Sequence, residues 1–262
     1  MAAVAVRVDT SRAIRKLAQA QGRIHRAAVQ ALNWTAADAQ GEVQQVMRRV
    51  FDRPTPYTIR GVGVWKASGA DPVAKVGLKS FGGKGTAAAD FLAPQVYGGA
   101  RSMKRFERAL QRIGALPPGW MAVPASGAQL DAYGNMNRGQ IVQILAALQA
   151  FGEQGYRANM DAKGRARLAK GSKRSYGREY FVSHGRGWRQ GTGSWKHGRN
   201  QHLPAGVWMR QSGGLGKSLR PVLIFVRTAT YKPRLPFHRT VVEYARREFP
   251  IKFDRAMRSV RG

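Results

Sequence analysis

The side chains most able to do chemistry are few. Three of the five histidines, His184, His197 and His202, fall close together in sequence, and fourteen carboxylates are scattered along 262 residues. His197-Gly198-Arg199-Asn200-Gln201-His202 faintly resembles a His-Asn-His nuclease loop, but no acid follows it. No Asp-x-Asp pair and no His-Glu-x-x-His run occurs, and metal-assisted hydrolysis needs several such ligands converging on one ion. Gly-x-Ser-x-Gly is absent, so no nucleophile elbow is signalled. Phe81-Gly82-Gly83-Lys84-Gly85 lacks the Gly-x-x-x-x-Gly-Lys-Ser/Thr spacing of a phosphate-binding loop. These observations argue for a protein that is not an enzyme and that carries no cofactor and no metal. A nuclease built on His184, His197 or His202 remains as a third reading.

Cations are the abundant chemistry. There are 45 Lys and Arg against 14 Asp and Glu, a formal net charge of +31. A surface so one-sided repels itself and favours a polyanionic or acidic partner. DNA, RNA, an acidic protein assembly and an anionic membrane all meet that need, and charge does not choose among them. The richest segment runs from Tyr156 to Asn200, with twelve basic residues against Asp161 and Glu179 and glycine throughout. It also holds Tyr156, Tyr176, Tyr180, Phe181, Trp188 and Trp195. Arginine interleaved with aromatics is the composition of a groove that stacks bases and holds phosphates. The same aromatics equally suit a core, with the Gly/Arg stretches as loop. The residues expected to meet a partner or DNA are Arg101, Lys104, Arg105, Lys173, Arg174, Arg178, Arg186 and Arg189.

Hydropathy patterning then supplies the elements that must carry these cations. Ile14, Leu17, Ile24, Ala28, Leu32, Ala39, Val43 and Val46 recur at helical spacing. They predict one long first helix, ended by Asp52-Arg53-Pro54-Thr55-Pro56. The stripe is lean and rich in Ala, so a helix of this length should pack on something larger than itself. Tyr57–Lys66 and Pro72–Lys79 read as a strand hairpin around Ser68-Gly69-Ala70-Asp71. Residues 80–99 read as a Gly/Ala-rich loop. Ser102–Ile113 and Asn137–Phe151 read as amphipathic helices, and Trp120–Val123 as a short strand. Tyr156–Asn200 reads mostly as loop, with a strand near Glu179–Ser183. Leu203–Gln211 and Leu219–Tyr231 read as strands, and Val222–Val226 as the central one. A last helix opens at Phe237, with a kink or break expected at Pro250.

The chain has no Cys, so no disulfide or thiolate site is available. No apolar run is long enough to span a bilayer, and Met1–Val8 does not read as a signal peptide. The whole reads as one α+β domain over 1–262. A small antiparallel or mixed β-sheet is flanked by long N-terminal and C-terminal helices, and 156–200 forms a basic Gly-rich insertion or extended loop within it.

Three segments together carry a resemblance. Arg26-Ala27-Ala28-Val29-Gln30-Ala31-Leu32-Asn33, followed by the long helix and Asp52-Arg53-Pro54-Thr55-Pro56-Tyr57-Thr58, resembles the N-terminal part of tailed-phage minor tail and neck proteins. Gly98-Gly99-Ala100-Arg101-Ser102-Met103-Lys104-Arg105-Phe106-Glu107-Arg108-Ala109-Leu110 resembles a segment of phage virion-morphogenesis proteins. Pro221-Val222-Leu223-Ile224-Phe225-Val226, Tyr231-Lys232-Pro233-Arg234 and Arg247-Glu248-Phe249-Pro250 are similar to the C-terminal strand and helix of the bacteriophage minor tail protein Z or tail-completion group. The matches are patchy, and 156–200 departs from the pattern. The resemblance implies a structural virion protein of the neck that forms, or assembles around, a homo-oligomeric ring. It would link head and tail, with acidic neck, portal or tail proteins, or DNA in the channel, as partners. Its place would be the virion, after assembly in the host cytoplasm, with no membrane involved. The alternative is a non-specific nucleic-acid-binding protein using the basic aromatic segment.

Overall fold

The computed structural model describes residues 11–81, 85–152, 157–173, 175–185, 202–213, 216–227 and 230–260. In chain order the elements are α1 (Ser11–Val50), α2 (Pro56–Ile59), β1 (Val62–Trp65), β2 (Lys75–Leu78), α3 (Ala88–Tyr97), β3 (Gly99–Ala100), α4 (Arg105–Arg112), β4 (Trp120–Pro124), α5 (Arg138–Ala147), α6 (Ala162–Lys170), β5 (Gly177–Ser183), β6 (Gly206–Gly213), β7 (Gly216–Arg227), β8 (Thr230–Tyr231) and α7 (Phe237–Ser259). The fold is α+β, with long N- and C-terminal helices packed together and small antiparallel sheets. Two compact units divide the chain. Unit 1 takes residues up to Gly99 and from Lys232 onward, and unit 2 takes Ala100–Tyr231.

Unit 1 rests on the antiparallel pairing of α1 and α7. Near one end of the pair, Ala27, Ala31 and Ala256 are fully buried, with Trp34, Phe249, Phe253 and Met257 packed around them. Alanine at the crossing lets the two backbones approach closely, and the aromatics beside it supply the buried area. Toward the other end Val43 and Met47 of α1 meet Leu235 and Phe237, together with Ile59, Val62 and Leu92. Asp38 pairs with Lys252 across the two helices, and Arg255 lies 5.2 Å from the Trp34 ring centre.

The β1–β2 hairpin is tied to α1 by side chains acting as backbone. The Asn33 amide donates to Ala67 O at 3.0 Å and accepts from Ala67 N at 2.7 Å. Gln40 Nε2 donates to Val62 O. The strand register runs Val62↔Leu78 to Trp65↔Lys75. The expected strand starts too early: Pro56–Ile59 is a helical turn instead. Thr55 caps it by accepting from Thr58 N, and Pro56 sits at the first helical position, where its missing N–H costs nothing.

A second correction falls on residues 80–99, expected as loop. Ala88–Tyr97 is helical, with Pro94 inside it. Ala88 and Leu92, one turn apart, are buried in the unit 1 core, and that burial holds a helix despite the proline. The same applies at the C-terminus, where α7 runs unbroken through the exposed Pro250. Packing of Phe249, Phe253 and Ala256 against α1 offsets the missing hydrogen bond.

Unit 2 is a four-stranded antiparallel sheet in the order β4-β7-β6-β5. Its central β7 carries Val222–Val226, as the sequence predicts. α4 and α5 supply Leu110, Ile144 and Leu145 to the core, against Tyr180, Val207, Met209, Leu223 and Phe225 of the sheet. A bulge at Val207/Trp208 shifts the β6–β7 register, so that Val222 and Leu223 are both buried. α5 begins where Asn137 accepts from Gly139 N and Gln140 N. It ends earlier than expected, at Ala147, and Gln149 takes the left-handed turn at φ 55.

Replacing Ala31 by Leu would force α1 and α7 apart. The expected cost is about 1–3 kcal/mol, the usual range for overpacking. Urea denaturation of the variant and the parent measures it, and the exposed change Gln19→Leu is the control, expected to be near neutral.

Candidate polyanion interface

Unit 2 gathers the cations on a frame that begins with one buried carboxylate. Glu107 is the third residue of α4, and its side chain is fully buried. The Arg101 guanidinium grips it with two donors, at 2.8 and 2.5 Å. The carboxylate also accepts from Lys104 N at 2.7 Å and Ala122 N at 2.9 Å. One group therefore closes the first turn of α4 and satisfies an outward N–H of the edge strand β4. Burial pushes the Glu107 carboxyl upward, but the Arg101 hydrogen bonds and the two backbone N–H groups outweigh it, and the net shift is down. The Glu107 hydrogen bond in turn raises Arg101. Lys104 is held below the ordinary lysine range by local burial and by the Arg101 cation, against the pull of Glu107.

This arrangement separates the first three expected contact residues. Arg101 is half-buried and committed to Glu107, whereas Arg105 and the Lys104 residue as a whole are exposed. The sequence signal for Glu107 was available: a glutamate three residues after the start of an amphipathic helix commonly reaches back to the cap.

The segment read as mostly loop contains α6. Asp161 caps this helix by accepting from Gly164 N at 2.6 Å, and Gly171 ends it at φ 74. Both are ordinary boundary signals, masked in the sequence by the density of Gly and Arg. Leu168 packs against the unit 2 core. Lys163, Arg167 and Lys170 follow at i, i+4 and i+7, all exposed. Helical geometry puts them in one row about 10 Å long.

The end of α6 is pressed onto β5. A Cβ on Gly177 would lie 2.0 Å from Ala169 O, so only glycine permits this approach. The contact brings Lys170, the exposed Lys173 and the half-buried Arg178 to the end of the sheet where β5 begins. Across the register Arg178 pairs with Gln211, and Gln211 with Ser218. The exposed Arg210, Lys217 and Arg220 stand on the same end of the sheet. Arg210 pairs with Glu179 at 3.2 Å and lies 4.5 Å from the Phe181 ring centre.

Tyr180 and Trp208 are buried. The Tyr180 hydroxyl donates to Gln143 at 2.9 Å, and burial is the first cause of its raised pKa. These aromatics belong to packing, not to a stacking platform. Arg174, Arg186, Arg189, His197, Tyr156, Trp188 and Trp195 lie outside the described residues. So does the centre of the Phe81–Gly85 loop. His184 follows β5, and burial lowers its pKa; His202 precedes β6 and is exposed. Among the described residues no three His, Cys, Asp or Glu side chains are grouped so as to hold a metal ion. No described helix is long and apolar enough to cross a membrane.

Removing Arg101 strands a buried charge. Arg101→Ala should cost about 3–5 kcal/mol in urea denaturation. The folded pKa of Glu107 is depressed, so its contribution is complete above the ordinary value of 4.5 and is lost as pH falls through the folded pKa. The stability difference between the parent and Glu107→Gln should therefore shrink as pH falls below 4.5, read from melts at successive pH values. The chain matches no protein-family model, no curated protein and no solved structure.

Proposed function

We propose that this chain is a non-catalytic structural subunit of a tailed-bacteriophage neck, a tail-completion component. In this reading it oligomerises into or around a ring and links head to tail. The observation that carries the reading is the excess length of α1. Its 40 residues extend about 60 Å at 1.5 Å per residue, and the 23 of α7 about 35 Å. Ala27 is buried against α7, yet residues 18–21 and 23–26 of α1 are exposed, Ile24 among them at 50%. A lone stretch of helix gains little stability in water; packing between subunits supplies what the single chain lacks. The net charge of +31 supports acidic neighbours or DNA, because closing a ring of such subunits brings like charges together.

A second reading, non-specific nucleic-acid binding, is favoured by the Lys163–Arg167–Lys170 row. Such a row contacts phosphates without reading bases.

Two measurements separate these readings. Light scattering of the purified chain, with imaging of the native particle, tests the first. A closed oligomer at the neck is expected, and a strict monomer that joins no particle overturns it. Filter binding to duplex DNA across a salt series tests the second. If α6 carries phosphate contacts, reversing Lys163, Arg167 and Lys170 to Glu should flatten the slope of log K against log salt by about 0.9 per lost contact. An unchanged slope removes α6 from any such role.

A further inference from the structure

Unit 1 contains an apolar groove that the described residues leave open. It runs between α1, β2 and α7 and encloses about 340 Å³. Ala36 and Ala39 of α1, Val76 of β2, and Val241, Ala245 and Phe249 of α7 form its walls. Thr35 also lines it, but its hydroxyl donates to Ala31 O, so no polar group there demands water. The small side chains account for the space, since the volume that Leu or Phe would fill at Ala36, Ala39 and Ala245 is absent. This size is at the lower end of binding pockets, about 300–1,000 Å³, and suits one or two apolar side chains.

One charged residue lines the groove: the exposed Arg246. Three carboxylates of the helix pair are engaged elsewhere, Asp38 with Lys252, Glu42 with Arg49 and Glu248 with Arg247; Glu243 is exposed between Arg239 and Arg246 on α7, two cations against one acid. The exposed Val242 and Arg239 continue the same mixture along α7. An apolar trough edged by a cation suits an amphipathic helix bearing acid beside its apolar anchor. A second copy of this chain would bring a further +31 and so fits less well.

We propose that this groove receives a large apolar side chain carried on an acidic helical segment of a partner protein, with a partner carboxylate on Arg246. The site needs no phage particle and stands or falls separately from the neck reading.

The probe is a fluorescein-labelled 18-residue helical peptide of Leu and Glu, compared with its Glu→Gln counterpart by fluorescence anisotropy on the full chain. The acidic peptide should bind at least tenfold more tightly than the neutral one. Ala245→Phe, which fills the groove, and Arg246→Glu should each weaken binding at least tenfold, whereas Arg138→Glu at the exposed start of α5 should change it less than threefold. Equal loss in the Arg138 variant shows general charge attraction and overturns the proposal, as does binding indifferent to Ala245→Phe. Because that variant could unfold, a photo-leucine at the peptide's central position is cross-linked to the unaltered chain. Adducts on α1 or α7 residues of the groove support the site; adducts confined to α6 or to residues 206–227 overturn it. Self-association of the parent chain that Ala245→Phe abolishes would make the occupant a second copy, and would also overturn it.

Discussion

Scarcity of negative charge constrains everything in this protein. With 45 cations and 14 carboxylates, each acid has a disproportionate effect on where the chain can fold tightly. The structure places four of them at junctions. Glu107 joins the start of α4 to the edge of the four-stranded sheet. Asp161 starts α6. Asp131 accepts from Tyr133 N and Asn135 N and so shapes a tight loop. Asp38 couples α1 to α7. The surplus of cations is left facing outward, where water screens it.

The two units meet that constraint differently. In unit 1 the main contact is nearly charge-free. Alanines at the α1–α7 crossing allow close approach, and Trp34, Phe249 and Phe253 supply apolar area. Polar links from α1 to the hairpin come from the neutral amides of Asn33 and Gln40 and from the His25 ring on Gly69 O. In unit 2 a single buried ion pair sits where α4 meets β4. Such a pair adds little over an apolar contact, but breaking it is costly. It therefore fixes where Arg101 points, and Arg105 and the α6 row remain on the outside.

That division bears on function. A cation tied to a buried carboxylate is unavailable to a partner, whereas Lys163, Arg167 and Lys170 are exposed on a helix that Leu168 anchors from the opposite side. The apolar groove of unit 1 adds a second kind of surface, suited to a side chain more than to a phosphate. An assembly protein that must hold acidic neighbours would use both, charge for approach and apolar fit for register.

Much of the architecture was legible in the residues. The 3.6-residue period of α1, the apolar run of β7 and the capped start of α5 each express a local preference that packing reinforces. The fold class and the central strand follow from those patterns alone. The sequence could not show that Pro94 lies inside a helix, nor that α7 continues unbroken through Pro250. Proline opposes a helix locally, and only the burial of Leu92, Phe249 and Ala256 against distant segments overcomes it. Nor could it show α6, whose glycines and arginines read as loop until the cap at Asp161 and the seat of Leu168 are seen together. Nor could it distinguish Arg101 from Arg105, which have the same chemistry four residues apart. Sequence determines that the chain is cationic and which stretches are apolar, because those are properties of the residues themselves. Which cations are neutralised and which stay free depends on where a few carboxylates lie in space, and that is decided only when the chain folds.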